Sequence, residues 1–307
     1  MSEWQLLRDE FRGEPDSYFH LPAYHRLHRG EQPSAYFEWA AGGEVSAAVH
    51  FTDMGQGLWR SPARGTFSGP LADPGLSLAD LQAFLEQVDA ELQDLGASSA
   101  EVLLPPEAHD PAAFARSVYL LGRLGYEVSS CDLNYSLAID DRPFAERMSY
   151  GNRKRLNKCA REGLVAEQLP LSRMTQVYET LAANRASKGY SMSMTAEQVA
   201  ELAGMFPDRV VLFGVPHDDV LAAAALCLKL SSRILYVFYW GDRLGYSTAS
   251  PVVALADRIY SYCGEHGIDL LDIGTATVDR EPNHGLVQFK RGLGFSESLK
   301  LRMTKTF

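Results

Sequence analysis

Along residues 163–306, the hydrophobic positions alternate in some stretches and recur every three to four residues in others. The first pattern predicts a β-strand and the second an α-helix. Short polar turns join the three middle β-rich runs, so we expect those runs to form an antiparallel meander. Thr195, with a glutamine three positions later, predicts a capped helix start. The predicted elements are, in chain order, a strand (163–169), two helices (174–189, 195–206), three strands (209–215, 220–230, 233–240), a helix (250–267), a strand (269–274), a short helix (283–292) and a strand (298–306).

The preceding part of the chain shows nearly the same order of periods. LLGRLGYEVS (120–129) also aligns with FKRGLGFSES (289–298) at a constant offset. A repeat of this size predicts two similar domains, 1–145 and 146–307, rather than a solenoid, with the boundary in 140–149. The predicted elements here are a helical start (3–29), strands (35–43, 44–55, 57–62), a helix (78–92), a strand (100–105), a helix (112–125) and a closing strand (126–139).

Composition and charge narrow the class of protein. The chain has 307 residues, of which 46% are hydrophobic and 22% charged, which is typical of a folded globular protein. It has no apolar run long enough to span a membrane and no signal-peptide pattern, so we expect a cytoplasmic protein. The net charge of −10 argues against a DNA-binding protein, although a local basic patch occurs at 152–161. The oligomeric state stays open.

Three stretches of the chain contain short motifs: MSYGNRKRLNKCAREGL (148–164), HGLVQFKRGLGF (284–295) and SPARGTFSGP (61–70). These motifs resemble those of tandem GNAT-like acyltransferases, in particular the FemABX-type aminoacyltransferases. MSYGNRKRLNKCAREGL (148–164) is similar to the Ser-x-x-x-Arg entry to the second domain, with Ser149 and Arg153 at the matching positions. HGLVQFKRGLGF (284–295) resembles the Phe-Lys motif of that group, and SPARGTFSGP (61–70) resembles its Ser-Pro and Phe-x-Gly loop. The resemblance covers nearly the whole chain.

The resemblance implies a mixed α/β (α+β) fold with two tandem GNAT-like domains, each a mixed, mainly antiparallel sheet flanked by helices. It also implies acyl transfer to an amine. This sequence differs from those families at two places that concern the acyl donor. Simple GNAT enzymes hold the pyrophosphate of coenzyme A on a glycine-rich loop, whereas this chain has DRLGYSTASPVV (242–253) at that place. The long helical hairpin found in many transfer-RNA-dependent FemABX enzymes is also missing from the sequence.

Lys290 is the first candidate catalytic residue. It lies four positions after Leu286 and three after Val287, on the same face of the predicted short helix. A lysine there either covers apolar surface with its stem or points into a site. In a transferase its ammonium group would stabilise an oxyanion or bind a phosphate.

Two further catalytic candidates flank that helix. Asp272 lies near the end of the preceding strand, where it would orient the attacking amine or accept its proton; the alternative is a carboxylate bonded to backbone. His284 would act as an acid or base near neutral pH, or would be a surface histidine in the first helical turn.

The remaining candidates would bind the donor or the acceptor, and each also has a purely structural interpretation as a cap, turn or solvated surface. Tyr246, Ser247 and Ser250 precede a helix start, where free N–H groups favour a phosphate, although Ser250 would equally serve as the cap. The predicted substrate-binding residues are Arg153, Arg155, Tyr190, Thr275, Asn283, Arg64 and Phe67. Asn283 also has the features of a helix cap.

We predict no metal site. His20, His25 and His28 are close together in the sequence, but their spacing does not combine with an acidic or cysteine partner to complete a metal shell.

The sequence therefore predicts an N-acyltransferase, with acyl-CoA (acetyl-CoA) slightly ahead as donor and a small-molecule or precursor amine as acceptor. One alternative is a FemABX-type enzyme that takes an aminoacyl group from aminoacyl-tRNA and adds it to a cell-wall precursor. The other is a binding protein that keeps the fold and has lost the chemistry.

Overall fold

The computed structural model describes residues 4–278 and 281–307. Its strands are β1 (Gln5–Arg8), β2 (Ser34–Ala41), β3 (Glu44–Asp53), β4 (Leu58–Ser61), β5 (Leu71–Ala72), β6 (Ser99–Leu103), β7 (Glu127–Ala138), β8 (Glu167–Leu169), β9 (Val210–His217), β10 (Val220–Lys229), β11 (Ile234–Asp242), β12 (Leu270–Thr275), β13 (Thr277–Val278), β14 (Glu281–Pro282) and β15 (Ser296–Thr306). Its α-helices are α1 (Pro22–Arg29), α2 (Leu78–Asp94), α3 (Pro111–Arg123), α4 (Phe144–Arg147), α5 (Tyr150–Arg161), α6 (Met174–Ser187), α7 (Ala196–Met205), α8 (Val252–Glu265) and α9 (His284–Gly292).

The chain forms two compact units. Unit 1 comprises Met1–Leu133 and Ser298–Phe307, and unit 2 comprises Asn134–Glu297. The sequence predicts a boundary between residues 145 and 146. The difference at the end of the chain arises because β15 pairs with β6, from Arg302 opposite Leu103 to Thr306 opposite Ser99, which a linear pattern does not reveal.

Unit 1 is a mixed sheet with the strand order β1-β2-β3-β4-β6-β15-β7, and β5 is added to β3. Strands β4 and β6 are parallel, whereas β1, β2 and β3 pair antiparallel. Helix α2 buries the residues of one face, among them Leu81, Phe84 and Val88, and begins where Ser77 Oγ accepts the N–H of Asp80. The predicted helix at 78–92 is therefore confirmed.

The predicted helical start at 3–29 is wrong, apart from residue 3, which lies outside the described residues. Gln5–Arg8 forms β1, because Leu7 pairs with Glu38 of β2 and buries its side chain. A 3₁₀ turn follows at Tyr18–His20, and the helix is confined to α1.

Unit 2 has the strand order β7-β12-β11-β10-β9-β8. Strands β9, β10 and β11 form the predicted antiparallel meander, and β11 pairs with β12 in parallel. Strand β10 is almost wholly buried, and α6 and α8 pack on it. The mixed, mainly antiparallel sheet flanked by helices is as predicted.

The basic stretch at 152–161 is helical, which its hydrophobic pattern did not predict. It forms α5, whose buried side chains are Asn152 and Cys159. Ser149 caps this helix, since its Oγ accepts the N–H of Asn152.

Candidate active site

Strands β11 and β12 separate partway along their length. Their recorded parallel pairing covers three residue pairs and ends at Tyr236 opposite Asp272. On its other edge β11 carries a bulge, because Leu226 of β10 pairs with Tyr239 whereas Cys227 pairs with Val237. The extra residue is Phe238, and a bulge of this kind bends its strand. Beyond Tyr236 and Asp272, the described parts of β11 and β12 are not paired with each other, and we refer to this unpaired region in the sheet of unit 2 as the opening.

Lys290 lies beside this opening, on α9, and is only 2% exposed. Its Nζ donates to the carbonyl oxygens of Ile273, Gly274 and Thr275, with each nitrogen–oxygen distance 2.8 Å. The nitrogen also lies 5.3 Å from the centre of the Tyr135 ring. The lysine therefore points into the end of β12 instead of extending along the surface to water.

The protonation of Lys290 is governed by two opposing influences. Burial lowers its pKa to about 7, and the negative charge of Asp272 opposes this shift. The three carbonyl oxygens are acceptors only, and only the ammonium form offers three N–H donors. The hydrogen bonds thus favour the charged form that burial disfavours.

Asp272 is fully buried and turns back onto its own strand. One oxygen, Oδ1, accepts the N–H of Gly274 at 2.6 Å and the Nδ2 of Asn134 at 3.0 Å. Gly274 has a φ of +73°, a conformation that residues with a Cβ rarely adopt. Asp272, Asn134 and Lys290 together hold the backbone of Gly274 on both its N–H and its carbonyl side.

Asn134 and Tyr135 were not among the residues predicted from the sequence. Both lie on β7, which pairs with β12, where Asn134 is opposite Thr275. No motif or spacing marks them, because their role comes from a strand pairing between distant parts of the chain.

The segment between β11 and α8 contains the three predicted donor-binding residues. Tyr246 forms a 3.0 Å hydrogen bond with Nδ1 of His217, and both line a cavity of about 370 Å³ with Glu162. Ser250 Oγ donates to the carbonyl of Ser247 and does not cap α8, so the predicted cap is wrong. The reason is the backbone of Ser250, whose φ of +55° turns its side chain into the preceding turn.

Four backbone N–H groups in and next to this segment donate to carbonyl oxygens of the segment itself. The N–H groups of Tyr246, Ala249, Ser250 and Val253 each donate to a carbonyl oxygen within residues 243–250. Pro251, at the start of α8, has no N–H. These four N–H groups and Pro251 are therefore not available as donors to a phosphate at this helix start.

Helix α5 presents Arg153, Lys154 and Arg155 to solvent. Arg155 is held by a 2.8 Å bond from its Nη1 to Oδ1 of Asn152. The helix start adjoins the end of α9, where Ser149 N–H donates to the carbonyl of Gly292 at 2.8 Å. The Ser-x-x-x-Arg stretch therefore caps a helix and displays a cationic face.

The other predicted residues are dispersed. Asn283 caps α9, since its Oδ1 accepts the N–H of Leu286 at 3.0 Å, and His284 is exposed in the first turn. Thr275 contributes its carbonyl to Lys290. Tyr190, 44% exposed, follows α6 and lines a second cavity of about 370 Å³.

Arg64 and Phe67 belong to unit 1. Phe67 is 4% exposed and packs edge-on against Phe19, so it is a core residue of that unit. Arg64 is exposed, and its carbonyl accepts the hydroxyl of Tyr24.

Neither family models nor the sequences of curated proteins match this chain. Solved structures do match. A structure of FemX is 12% identical, covers 97% of this chain and 94% of its own, and superposes with a TM-score of 0.76. A tandem GNAT protein from the clavulanic acid biosynthesis pathway is also 12% identical, with 99% and 98% covered and a TM-score of 0.58.

The chain has the tandem GNAT fold. The C-terminal domain of a putative lysylphosphatidylglycerol synthetase from Agrobacterium fabrum is a further match, at 12% identity, 85% and 82% coverage and a TM-score of 0.59. The predicted resemblance to FemABX-type and tandem GNAT proteins is thereby confirmed for the fold.

Within residues 4–278 and 281–307, no group of three or more histidine, cysteine, aspartate or glutamate side chains is placed to hold a metal ion. In the same part of the chain, no helix has the length and apolar character to cross a membrane.

Proposed function

We propose that this chain is an N-acyltransferase whose reaction takes place at the opening between β11 and β12. The observation that carries this proposal is the end of the strand pairing at Tyr236 and Asp272, next to the buried Lys290. In this proposal, the edge of β11 beyond Tyr236, where its pairing with β12 has ended, binds the ligand carbonyl through main-chain N–H groups. Such fixed donors are suited to a tetrahedral oxyanion.

In the proposed reaction, the nitrogen of an amine attacks the carbonyl carbon of an activated acyl group. A carbon–nitrogen bond forms, the bond from carbon to the leaving sulfur or oxygen breaks, and a proton passes from the amine to the leaving group. Positioning and the oxyanion donors supply most of the rate enhancement.

Lys290 contributes by position and charge. Its three N–H donors are engaged by three carbonyls, so direct donation to an oxyanion would require the loss of one of these bonds. We assign it the role of holding the end of β12 in place and of lowering the energy of nearby negative charge. Asp272 is fully buried and already accepts two hydrogen bonds, so it is a weaker candidate for the general base than the exposed His284.

The donor is either acyl-CoA or aminoacyl-tRNA. The sequence placed acetyl-CoA slightly ahead. Four N–H groups of this segment are engaged within residues 243–250, and the carboxylate of Glu162, which lines the cavity with Tyr246, would repel a pyrophosphate. Lys158 Nζ lies 3.8 Å from that carboxylate and offsets part of its charge. The exposed arginines of α5 suit an RNA backbone, whose phosphates arginine binds in bidentate fashion. On these grounds we propose aminoacyl-tRNA as the donor, with a precursor amine as acceptor.

The donor is tested by thermal stability with acetyl-CoA, free CoA, uncharged tRNA or aminoacyl-tRNA. A donor at about 100 times its dissociation constant adds roughly 2.7 kcal/mol to the free energy of unfolding. We expect a shift with aminoacyl-tRNA that the Arg153→Glu, Arg155→Glu double variant loses and the control Arg123→Glu keeps. A shift with acetyl-CoA alone would reverse the preference.

Catalysis is tested by transfer of a labelled acyl group to amine acceptors. An enzyme should lose turnover in Lys290→Ala. A binding protein without chemistry would give no turnover in the unmodified chain with any donor that binds. Equal turnover rates in Lys290→Ala and in the unmodified chain would show that Lys290 has no role in the reaction.

A further inference from the structure

Unit 1 contains a buried group of histidines that the proposed function does not use. His20, His25 and His50 are 3%, 2% and 1% exposed. His20 ends the 3₁₀ turn, His25 lies on α1 and His50 lies on β3. Together these rings connect residues 17–29 to the sheet of unit 1.

The hydrogen bonds define which ring nitrogens carry protons. His20 Nε2 lies 2.8 Å from the carbonyl oxygen of Gly69, and His50 Nε2 lies 2.8 Å from that of Phe19. A carbonyl only accepts, so both Nε2 atoms must be donors. In the neutral state the Nδ1 of His20 then accepts from the hydroxyl of Ser17, 2.7 Å away.

The contact between His25 and His50 has room for one proton between the two Nδ1 atoms. Their Nδ1 atoms are 3.2 Å apart. With His50 neutral and protonated on Nε2, its Nδ1 is an acceptor and His25 Nδ1 must donate. If both rings were charged, two N–H groups would face each other at this distance, and the contact would become repulsive.

Among the described residues, the charged side chains that act on the three rings are cations, and His28 also acts on His50. Arg26 and Arg29 act on His25 from its own helix, and Arg64 acts on His28 from the loop after β4. From β2, the ring of Tyr36 is stacked at 6.0 Å from that of His50, and Glu38 acts on Tyr36.

Burial is the main cause that favours the neutral rings: it lowers the pKa of His20 and of His25 to about 4, and that of His50 well below its usual value. Arg29 and Arg26 lower the pKa of His25 further, and the neighbouring histidines lower that of His50. The hydrogen bonds of His20 to Gly69 and of His50 to Phe19 oppose these shifts.

We propose that protonation of the His20–His25–His50 cluster releases residues 17–29 from the sheet of unit 1, so that this segment is an acid-sensitive latch. At neutral pH the three rings join the turn, the helix and the strand through hydrogen bonds. In acid, added charge in an apolar, cation-flanked site drives the rings towards water, and the segment that carries His20 and His25 moves with them.

The test is hydrogen exchange of the full chain by mass spectrometry at pH 7 and at about pH 4.5, corrected for intrinsic exchange. We expect about a tenfold or greater loss of protection in residues 17–29 at the lower pH, with strand β10 as internal reference. His50→Gln keeps an amide donor for Phe19 and does not titrate, so it should reduce that loss. His109→Gln, in the same unit but outside the cluster, should behave like the unmodified chain.

Protection of 17–29 that does not change with pH would overturn the proposal, as would an unchanged loss in His50→Gln. If His50→Gln fails to fold, the ring nitrogen NMR signals of the unmodified chain decide instead. Rings that stay neutral to below about pH 5 and titrate together with the loss of protection support the latch. Rings that titrate near pH 6.5 while the segment stays protected exclude it.

Discussion

The ammonium nitrogen of Lys290 lies 2.8 Å from the carbonyl oxygen of Gly274, a residue with a left-handed backbone at φ +73°. The buried charge and the unusual backbone therefore depend on each other. Lys290 satisfies three carbonyls at the end of β12, and Asp272 satisfies the N–H of Gly274 from the other side.

Replacement of Lys290 by methionine should destabilise the protein by roughly 3 kcal/mol, because three buried carbonyls lose their donor. Arg291→Ala is the matched control, since Arg291 is the next residue of α9 and is exposed. Its effect should be close to neutral. Urea denaturation measures both. Equal stability of the two variants would show that the Lys290 bonds contribute little.

The free energy of unfolding should rise with pH above 7, and Lys290 should be the cause. Folding lowers the pKa of this lysine from 10.5 to about 7, so between these values the unfolded chain binds more protons than the folded chain. Stability is therefore lower at pH 7 and increases towards pH 10, by about 1 kcal/mol per pH unit. Denaturation at several pH values should show this slope in the unmodified chain and not in Lys290→Met. The same slope in both proteins would mean that the three carbonyl bonds keep Lys290 protonated in the folded chain above pH 7.

Asn134→Asp should be destabilising by about 3 kcal/mol at neutral pH, because it places a second carboxylate against the buried Asp272. The loss should diminish as the pH falls and one of the two carboxyl groups becomes protonated. Asn134→Leu removes the donor without adding charge and should cost about 1–2 kcal/mol. A stability deficit of Asn134→Asp that is independent of pH would contradict the carboxylate contact.

Alanine at Gly274 and at Gly285 should have opposite effects. At Gly274 the added Cβ meets the Tyr236 ring only at an ordinary 3.6 Å, so the cost, about 1–2 kcal/mol, comes from the left-handed backbone. At Gly285, the second residue of α9, alanine should stabilise by about 0.5 kcal/mol or less, because the full cost of glycine applies to the middle of a helix. Thermal unfolding of the two variants gives the comparison. A neutral Gly274→Ala would imply that β12 can relax at this point.

Sequence periodicity predicted the elements with wide apolar faces. Helix α8 and the meander of β9, β10 and β11 bury many side chains, so their periods are clear. Helix α5 buries Asn152 and Cys159, which leaves almost no hydrophobic signal. Strand β1 has four residues, too few to show alternation within a polar region.

The candidate site was predictable only in part, for a different reason. Lys290 was recognisable because a cation on an apolar helical face is unusual. Its partners depend on tertiary contacts: Asn134 reaches Asp272 across 138 residues of sequence. The Leu-Gly-aromatic repeat did have a local cause, since Gly125 and Gly294 both take a left-handed φ, of 90° and 93°, after a helix.

Strand β15 has a consequence for biosynthesis. A ribosome synthesises residues 134–297 before it reaches Ser298, yet unit 1 needs Ser298–Phe307 beside β6 to complete its sheet. Unit 1, although its synthesis begins first, therefore cannot complete its sheet until the whole of unit 2 has been synthesised. Until then the edge of β6 has to avoid pairing with other chains, which makes the speed of translation through unit 2 relevant to the yield of folded protein.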